Sequence, residues 1–281
     1  MKLTLGYSPC PNDTFLFDAL VHGRIKTPGF EVEVVLDDVE ALNQKAVRGE
    51  LQLTKLSYAA FTQVMNKYGL LHAGSALGHN CGPLLIARAP MSAEELTTAR
   101  VAIPGKLTTA NFLLGIAYPE IGKRVECVFD QIEDAVLNGE VDAGLIIHEN
   151  RFTYADRGLV KIKDLGEHWE DSFGLPIPLG GIFARRDLDP ELVRSVDQAI
   201  SRSVRHAFDH PDDSRDYVKA HAQAMEESVM KSHIALYVNS YTESLGAAGV
   251  DAVAKLLQVS AERELYQPSG LPVFHAGATT I

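Results

Sequence analysis

The chain has 281 residues, 46% of them hydrophobic and 22% charged, and its 37 acidic and 26 basic side chains leave a formal net charge of -11. The length suits one large domain or two modest ones, and the composition supports a packed core of normal size in each. The acidic balance argues against a nucleic-acid partner and an anionic membrane surface, but not against an acidic ligand, because backbone dipoles bind anions even inside negatively charged proteins.

Leu3–Tyr7 predicts a strand. It runs into Ser8-Pro9-Cys10-Pro11-Asn12-Asp13-Thr14-Phe15, a rigid turn and then a helix start, which sets backbone N–H groups at a strand end. A helix over Asp13–His22 is ended by Gly23, Phe30–Leu36 alternates as a strand, and a helix over Val39–Arg48 is closed by Gly49. Leu51–Thr54 reads as a buried strand and Tyr58–Lys67 as a helix for which Ser57 is a candidate N-cap. Leu70–Ala76 and Leu84–Ala89 read as strands, and Ser92-Ala93-Glu94-Glu95 fits a capping box. The pattern then begins again. Arg100–Ile103 is a strand, followed by the turn Pro104-Gly105-Lys106 and a helix through Ala117 capped by Thr108 or Thr109. Arg124–Phe129 is a strand and Gln131–Leu137 a helix, and Val141–Ile147 is apolar enough for a strand buried on both faces. Leu159–Asp164 and Leu179–Ala184 are further strands, the latter after Leu175-Pro176-Ile177-Pro178. From Asp189-Pro190, an N-cap with proline at the first helical position, the chain is mainly helical, divided at His210-Pro211 and near Gly246.

The two strand-to-helix corners can be laid over each other, and Arg48-Gly49-Glu50-Leu51 resembles Asn138-Gly139-Glu140-Val141. Two α/β lobes follow, and ligands of such sheets bind beyond the carboxyl ends of the strands. Ser8, Ser57, Thr108, Thr109 and His148 are then expected at one crevice. His148 ends an apolar strand and has an unperturbed pKa near neutrality, so it either accepts a proton there or only hydrogen-bonds a loop. Glu149 follows it, but adjacent residues of an extended chain point to opposite faces, so the two are not expected to form a dyad. The helix start at Thr108-Thr109-Ala110 offers N–H groups, a hydroxyl and a positive dipole end to a carboxylate, whether or not threonine also caps the helix. Ser57, in Lys55-Leu56-Ser57, either bonds ligand or only caps its helix.

Gly78-His79-Asn80-Cys81-Gly82-Pro83 reads as a turn, and Cys10 as a small buried hydrophobe or a thiol near a helix start. The three cysteines Cys10, Cys81 and Cys127 fit no disulfide framework or zinc pattern and point to a reducing compartment. His206 and His210 lie four apart without an evident third ligand, and no Walker or dinucleotide loop is present, so no metal and no cofactor are expected. No apolar run reaches about 18 residues, and the first six residues lack the regions of a signal peptide, so a cytoplasmic protein without membrane spans is expected.

Taken as a set, the Ser8–Phe15 corner, Lys55-Leu56-Ser57, Pro104-Gly105-Lys106 with Thr108-Thr109-Ala110-Asn111, Gly144-Leu145-Ile146-Ile147-His148-Glu149 and Leu175-Pro176-Ile177-Pro178-Leu179-Gly180-Gly181 resemble the 1,4-dihydroxy-6-naphthoate synthases of the futalosine route to menaquinone. The resemblance is close over residues 1 to about 185 and looser in the helical tail. It implies an α/β, two-lobed periplasmic-binding-protein-like fold of type II, with a mixed sheet and flanking helices in each lobe and a ligand cleft between them. The lobes implied are 1–90 with 177–281, and 91–176. It further implies a carbon–carbon lyase that converts cyclic dehypoxanthine futalosine to 1,4-dihydroxy-6-naphthoate, a small-molecule carboxylate as partner, His148 as proton acceptor, and Lys55, Leu56, Ser57, Thr109 and Ala110 as substrate contacts. Ser8, Asn12, Thr108 and Gly180 are candidate cleft-lining residues. Two alternatives share the fold: a non-catalytic solute-binding protein, and a chorismate dehydratase of the same pathway.

Overall fold

The computed structural model describes residues 1–222, 226–266, 268 and 270–278. The chain divides into two compact units, the first comprising Met1–Gly78 and Pro178–Ile281 and the second His79–Ile177. The first unit opens with β1 (Lys2–Tyr7), α1 (Pro11–Val21), β2 (Glu31–Leu36), α2 (Val39–Arg48), β3 (Leu53–Ser57), α3 (Tyr58–Val64) and two short strands, β4 (Tyr68–Leu70) and β5 (Ala76–Gly78). The second holds β6 (Leu84–Ala87), α4 (Ala93–Thr98), β7 (Arg100–Ile103), α5 (Thr109–Ala117), β8 (Lys123–Glu126), α6 (Ile132–Leu137), β9 (Ala143–Ile146), α7 (Asn150–Thr153), β10 (Val160–Asp164) and α8 (Leu165–Phe173). The chain then returns through β11 (Ile177–Arg185) to α9 (Pro190–Asp209), α10 (Arg215–His221), α11 (Glu227–Tyr237), α12 (Ser240–Glu243) and α13 (Gly246–Glu262).

The first sheet has the order β2-β1-β3-β11-β4, with β5 also paired to β11. Strand β1 is parallel to β2 and β3, and β11 is antiparallel to β3 and β4. The second sheet has the order β10-β6-β9-β7-β8. There β7 is parallel to β8 and β9, and β6 runs antiparallel to both β9 and β10. Each unit is therefore a mixed sheet with helices, and in each the βα turns of the parallel strands gather at one edge.

Local chemistry sets the helix ends. Asp38 accepts from the backbone of Glu40 and Ala41 at the start of α2, and Gly49 ends that helix in the left-handed region at φ 74°. Ser92 and Glu95 complete the capping box foreseen for α4. In α9 an apolar stripe (Val193, Val196, Ile200, Val204, Ala207) recurs at helical spacing and packs in the same core as Phe15, Leu16, Phe17 and Leu20 of α1. Ser203 locks the two helices by donating to the Leu16 carbonyl at 2.6 Å and accepting from the Leu20 N–H at 3.1 Å. A smaller core, with Leu84, Ile86, Ala102, Ile132, Val136 and Ile146, holds the second unit.

Several elements differ from the sequence expectation. Leu84–Ala87, read with the first lobe, pairs instead with β9 and β10, so the chain enters the second unit after Gly78 rather than near residue 90. The stretch expected as one strand over residues 70–76 is two short strands, because Asp197 of α9 takes the N–H groups of His72 and Ala73 that a ladder would otherwise use. The buried strand before Ser57 is shifted to Leu53–Ser57, and β9 ends at Ile146, so His148 lies beyond the strand. Helix α8 was not foreseen. Asp164 accepts from Gly166 and Glu167 at its start and Gly174 closes it at φ 65°.

Asp189 caps α9 through Glu191 and Leu192, at 2.9 and 3.1 Å. Asp189→Ala lowers the free energy of unfolding by about 1 kcal/mol in urea denaturation, with turnover unchanged.

Candidate functional site

In the first unit the site is built at the carboxyl ends of β1 and β3. The turn after β1 brings Asp13, in the first turn of α1, back over the strand end. Its Oδ2 accepts from the Ser8 backbone at 3.2 Å and the Ser8 hydroxyl at 2.8 Å, and its Oδ1 accepts from the Asn12 amide at 2.9 Å. Lys55 of β3 donates to the same Oδ1 at 2.8 Å and to the Gly74 carbonyl at 3.2 Å. Asp13 and Lys55 are only 1% and 5% exposed, so this is a buried ion pair whose carboxylate has four donors. Two of the three ammonium donors are committed within the protein. Gly74 has φ 89°, and a Cβ there would meet Ile182 at 2.4 Å, so glycine is what lets its carbonyl face the lysine.

Ser57 does not cap α3 with its side chain. Its N–H donates to the buried Asn43 Oδ1 at 3.0 Å, and its hydroxyl accepts from Asn43 Nδ2 at 3.2 Å. The asparagine thus fixes both the backbone and the hydroxyl at the strand end, which leaves the hydroxyl proton as a donor. Leu56 is fully buried opposite Gly181, and Gly180 stands opposite Ser57 on β11.

In the second unit three parallel strands deliver residues to one edge. Beyond β7, Thr108 is the N-cap of α5: its hydroxyl donates to Gly105 at 2.8 Å and accepts from the Asn111 N–H at 3.2 Å. That resolves the register left open between Thr108 and Thr109, and places Thr109 and Ala110 at the first two helical positions, both buried. Beyond β8, Phe129 meets the imidazole of His148 edge to face, with ring centroids 5.1 Å apart at 69°. Beyond β9, His148 sits half-buried with φ 59°, a left-handed backbone that costs a residue with a side chain about 1–3 kcal/mol.

This turn overturns the argument against a His148–Glu149 pair. That argument assumed an extended chain, but His148 is left-handed and Glu149 is helical at φ -65° and ψ -27°. The two side chains consequently share a side, and a ring nitrogen of His148 lies within 4.8 Å of a Glu149 carboxylate oxygen. Glu149 is 5% exposed, and burial pushes its carboxyl above the ordinary glutamate range.

His79 and His206 lie elsewhere. His79 and the Asn80 N–H both engage Glu170 on the surface, at 2.8 and 2.7 Å. His206 is held by Asp213 at 2.9 Å. Cys10 is buried at the start of α1, and burial pushes the Cys81 thiol up to about 12. Sequence reasoning missed Asp13, Asn43, Phe129, Arg151 and Asp164 as parts of these edges. The signal for Asp13 was present, as a carboxylate three residues into a helix that begins with proline.

The fold is that of the periplasmic-type binding proteins. The ligand-binding component of an ABC-type import system from Staphylococcus aureus superposes with TM-score 0.72 at 13% identity, covering 98% of this chain and 96% of that one. An alkanesulfonate-binding protein from Xanthomonas axonopodis, bound to MOPS, gives 0.70 at 14% identity, covering 95% and 94%. A protein of Archaeoglobus fulgidus is nearer in sequence, with TM-score 0.89 at 37% identity over 94% of this chain and 98% of that one. Within that fold the chain belongs to the menaquinone biosynthesis family, whose model matches residues 3–262. It is 51% identical over 272 residues to a 1,4-dihydroxy-6-naphthoate synthase of Thermus thermophilus, covering 97% of this chain and 98% of that protein. It is 46% identical over 275 residues to one of Streptomyces coelicolor, covering 95% and 96%.

Two outcomes follow from the buried charges. Asp13→Asn leaves Lys55 without its counter-charge and destabilises the protein by about 3–5 kcal/mol in denaturant unfolding. Glu149 holds its proton to higher pH when folded than when unfolded, so folding binds protons and the wild type loses stability as pH rises from about 4.3 through the folded-state pKa. Glu149→Gln therefore raises Tm above wild type at neutral and alkaline pH, and the two melting curves coincide below about pH 4.

Proposed function

We propose that the chain is a carbon–carbon lyase that converts cyclic dehypoxanthine futalosine to 1,4-dihydroxy-6-naphthoate in the cytoplasm, with His148 as the proton acceptor. The observation that carries this is His148 just beyond the end of β9, on the same sheet edge as the start of α5, in a chain that matches two naphthoate synthases over nearly its whole length.

The roles follow from the donors available. Thr109 and Ala110 hold the substrate carboxylate at the positive end of α5, where N–H groups and the helix dipole favour an anion without requiring a formal positive charge. The remaining N–H of Lys55 and the hydroxyl proton of Ser57 bind substrate oxygens, and the backbone of Leu56 completes that segment. Ser8, Asn12 and Gly180 flank Lys55 and Ser57 at the first unit's edge, and Thr108 flanks Thr109 and Ala110 at the second unit's. Asp13 and Asn43 act through Lys55 and Ser57 by fixing their direction, which is what a site that works by orientation requires.

Opening the cyclic substrate and aromatising it removes an acidic proton, and a neutral imidazole at working pH accepts it. The aromatic ring gained supplies driving force, so the protein contributes mainly orientation and one base. Phe129 packs against the ring in an edge-to-face contact.

Incubation of the purified protein with cyclic dehypoxanthine futalosine yields 1,4-dihydroxy-6-naphthoate; return of unchanged substrate identifies a carrier, and turnover of chorismate instead identifies the dehydratase. His148→Ala lowers kcat by about 10²- to 10⁴-fold and leaves substrate affinity within about tenfold, because the carboxylate contacts remain. Full activity in that variant removes His148 from the mechanism.

A further inference from the structure

The segment that carries His148 is short and irregular. Strand β9 ends two residues before it, its own backbone is left-handed, and α7, which follows, is a single turn of four residues. A strained residue in a short turn keeps one geometry only where its surroundings over-determine it. One such restraint comes from Arg151, in α7. One guanidinium nitrogen donates to the Gly82 carbonyl at 2.6 Å, and another to Asp164 Oδ2 at 2.6 Å.

The two acceptors lie where the sheet can hold them. Leu84 is the register partner of Ile146 on one side and of Asp164 on the other, so the end of β9, the start of β6 and the end of β10 share an edge. Arg151 spans from the chain leaving β9 to the approach to β6 and, one strand further, to the end of β10. Neither acceptor moves freely. Asp164 has a fully buried side chain and uses its other oxygen to cap α8 through Gly166 and Glu167 at 2.8 and 3.1 Å. Gly82 lies backbone against backbone with Gly166, where a Cβ would come within 2.2 Å of the Gly166 nitrogen.

We infer that Arg151 and Asp164 are a positioning pair for the proton acceptor, setting the direction of the His148 ring without touching substrate. The inference rests on His148 being that acceptor. Burying such a pair adds little net stability, whereas a fixed fork on two anchored acceptors restricts geometry, and a displacement of about 1 Å at a reacting group costs on the order of 10²-fold in rate.

The test compares Arg151→Gln, Arg151→Lys and Asp164→Asn with wild type and His148→Ala, in steady-state kinetics on cyclic dehypoxanthine futalosine with rates expressed per folded protein. The NMR signals of histidine-labelled protein are recorded alongside. Arg151→Gln lowers kcat by about 10- to 100-fold with KM within about threefold, and shifts or broadens the His148 resonance. Arg151→Lys recovers part of the rate, because one donor still reaches Asp164. Asp164→Asn keeps an acceptor for the α8 cap and lowers kcat in the same sense, so the inference is testable even where Arg151→Gln folds poorly. Wild-type kcat per folded protein in the Arg151 and Asp164 variants, beside an inactive His148→Ala, overturns the positioning role alone. A raised KM with unchanged kcat overturns it too. An active His148→Ala instead overturns the proton-acceptor assignment itself.

Discussion

The bond between Asp13 and Lys55 is the constraint on which the first unit's site depends. A carboxylate and an ammonium removed from water are tolerated only when paired and hydrogen-bonded; here the carboxylate has four donors and the ammonium has two of its three protons engaged. The carboxylate has Ser8, Asn12 and Lys55 around it, and the ammonium has Asp13 and the Gly74 carbonyl. Because these groups come from the turn after β1, from β3 and from the segment before β5, their mutual satisfaction fixes three pieces of chain at one strand end. Apolar residues of similar size would pack there at no loss of stability, but they would not direct an ammonium. The second unit applies the same device at its own edge, with Arg151 and Asp164 binding the chain that leaves β9 to the ends of β6 and β10.

The chemistry that can be built on these edges is that of orientation. A capped helix start, an imidazole against an aromatic ring, a serine held at two points by one asparagine and a lysine with most of its donors committed are all groups with few remaining degrees of freedom. Their directions are set before any ligand arrives, which reduces the ordering that binding must impose. The left-handed backbone at His148 belongs to the same logic: strain is held at the residue proposed as proton acceptor, and tertiary contacts of its neighbours keep it there.

The locally coded parts of this arrangement were legible in the sequence. Proline at the start of α1, the Ser92 box, threonine ahead of α5, glycine after α2 and Asp189-Pro190 ahead of α9 all act within a few residues of themselves. His148 also stood out, because a polar residue after an apolar run has to be explained. The parts that escaped depend on distant partners. Nothing near Leu84 announces that it will lie between Ile146 and Asp164, and Lys55 finds Asp13 across 42 residues of chain. The relation of Glu149 to His148 was misread for a different reason: alternation of side chains holds only while the strand lasts, and β9 stops at Ile146. Helix α8 carried a readable signal in Asp164, Glu167 and Gly174 that the proline-rich segment after it obscured.

The central claim is that the His148 imidazole, held at the second unit's strand edge, takes the proton in the committed step. It is tested most directly by titrating that ring by NMR in the free protein and setting the result beside the pH dependence of kcat/KM. The acid limb of the rate profile is predicted to inflect at the pKa measured for His148. A profile without an acid limb, or one that inflects about a unit or more away from the ring's own titration, contradicts it.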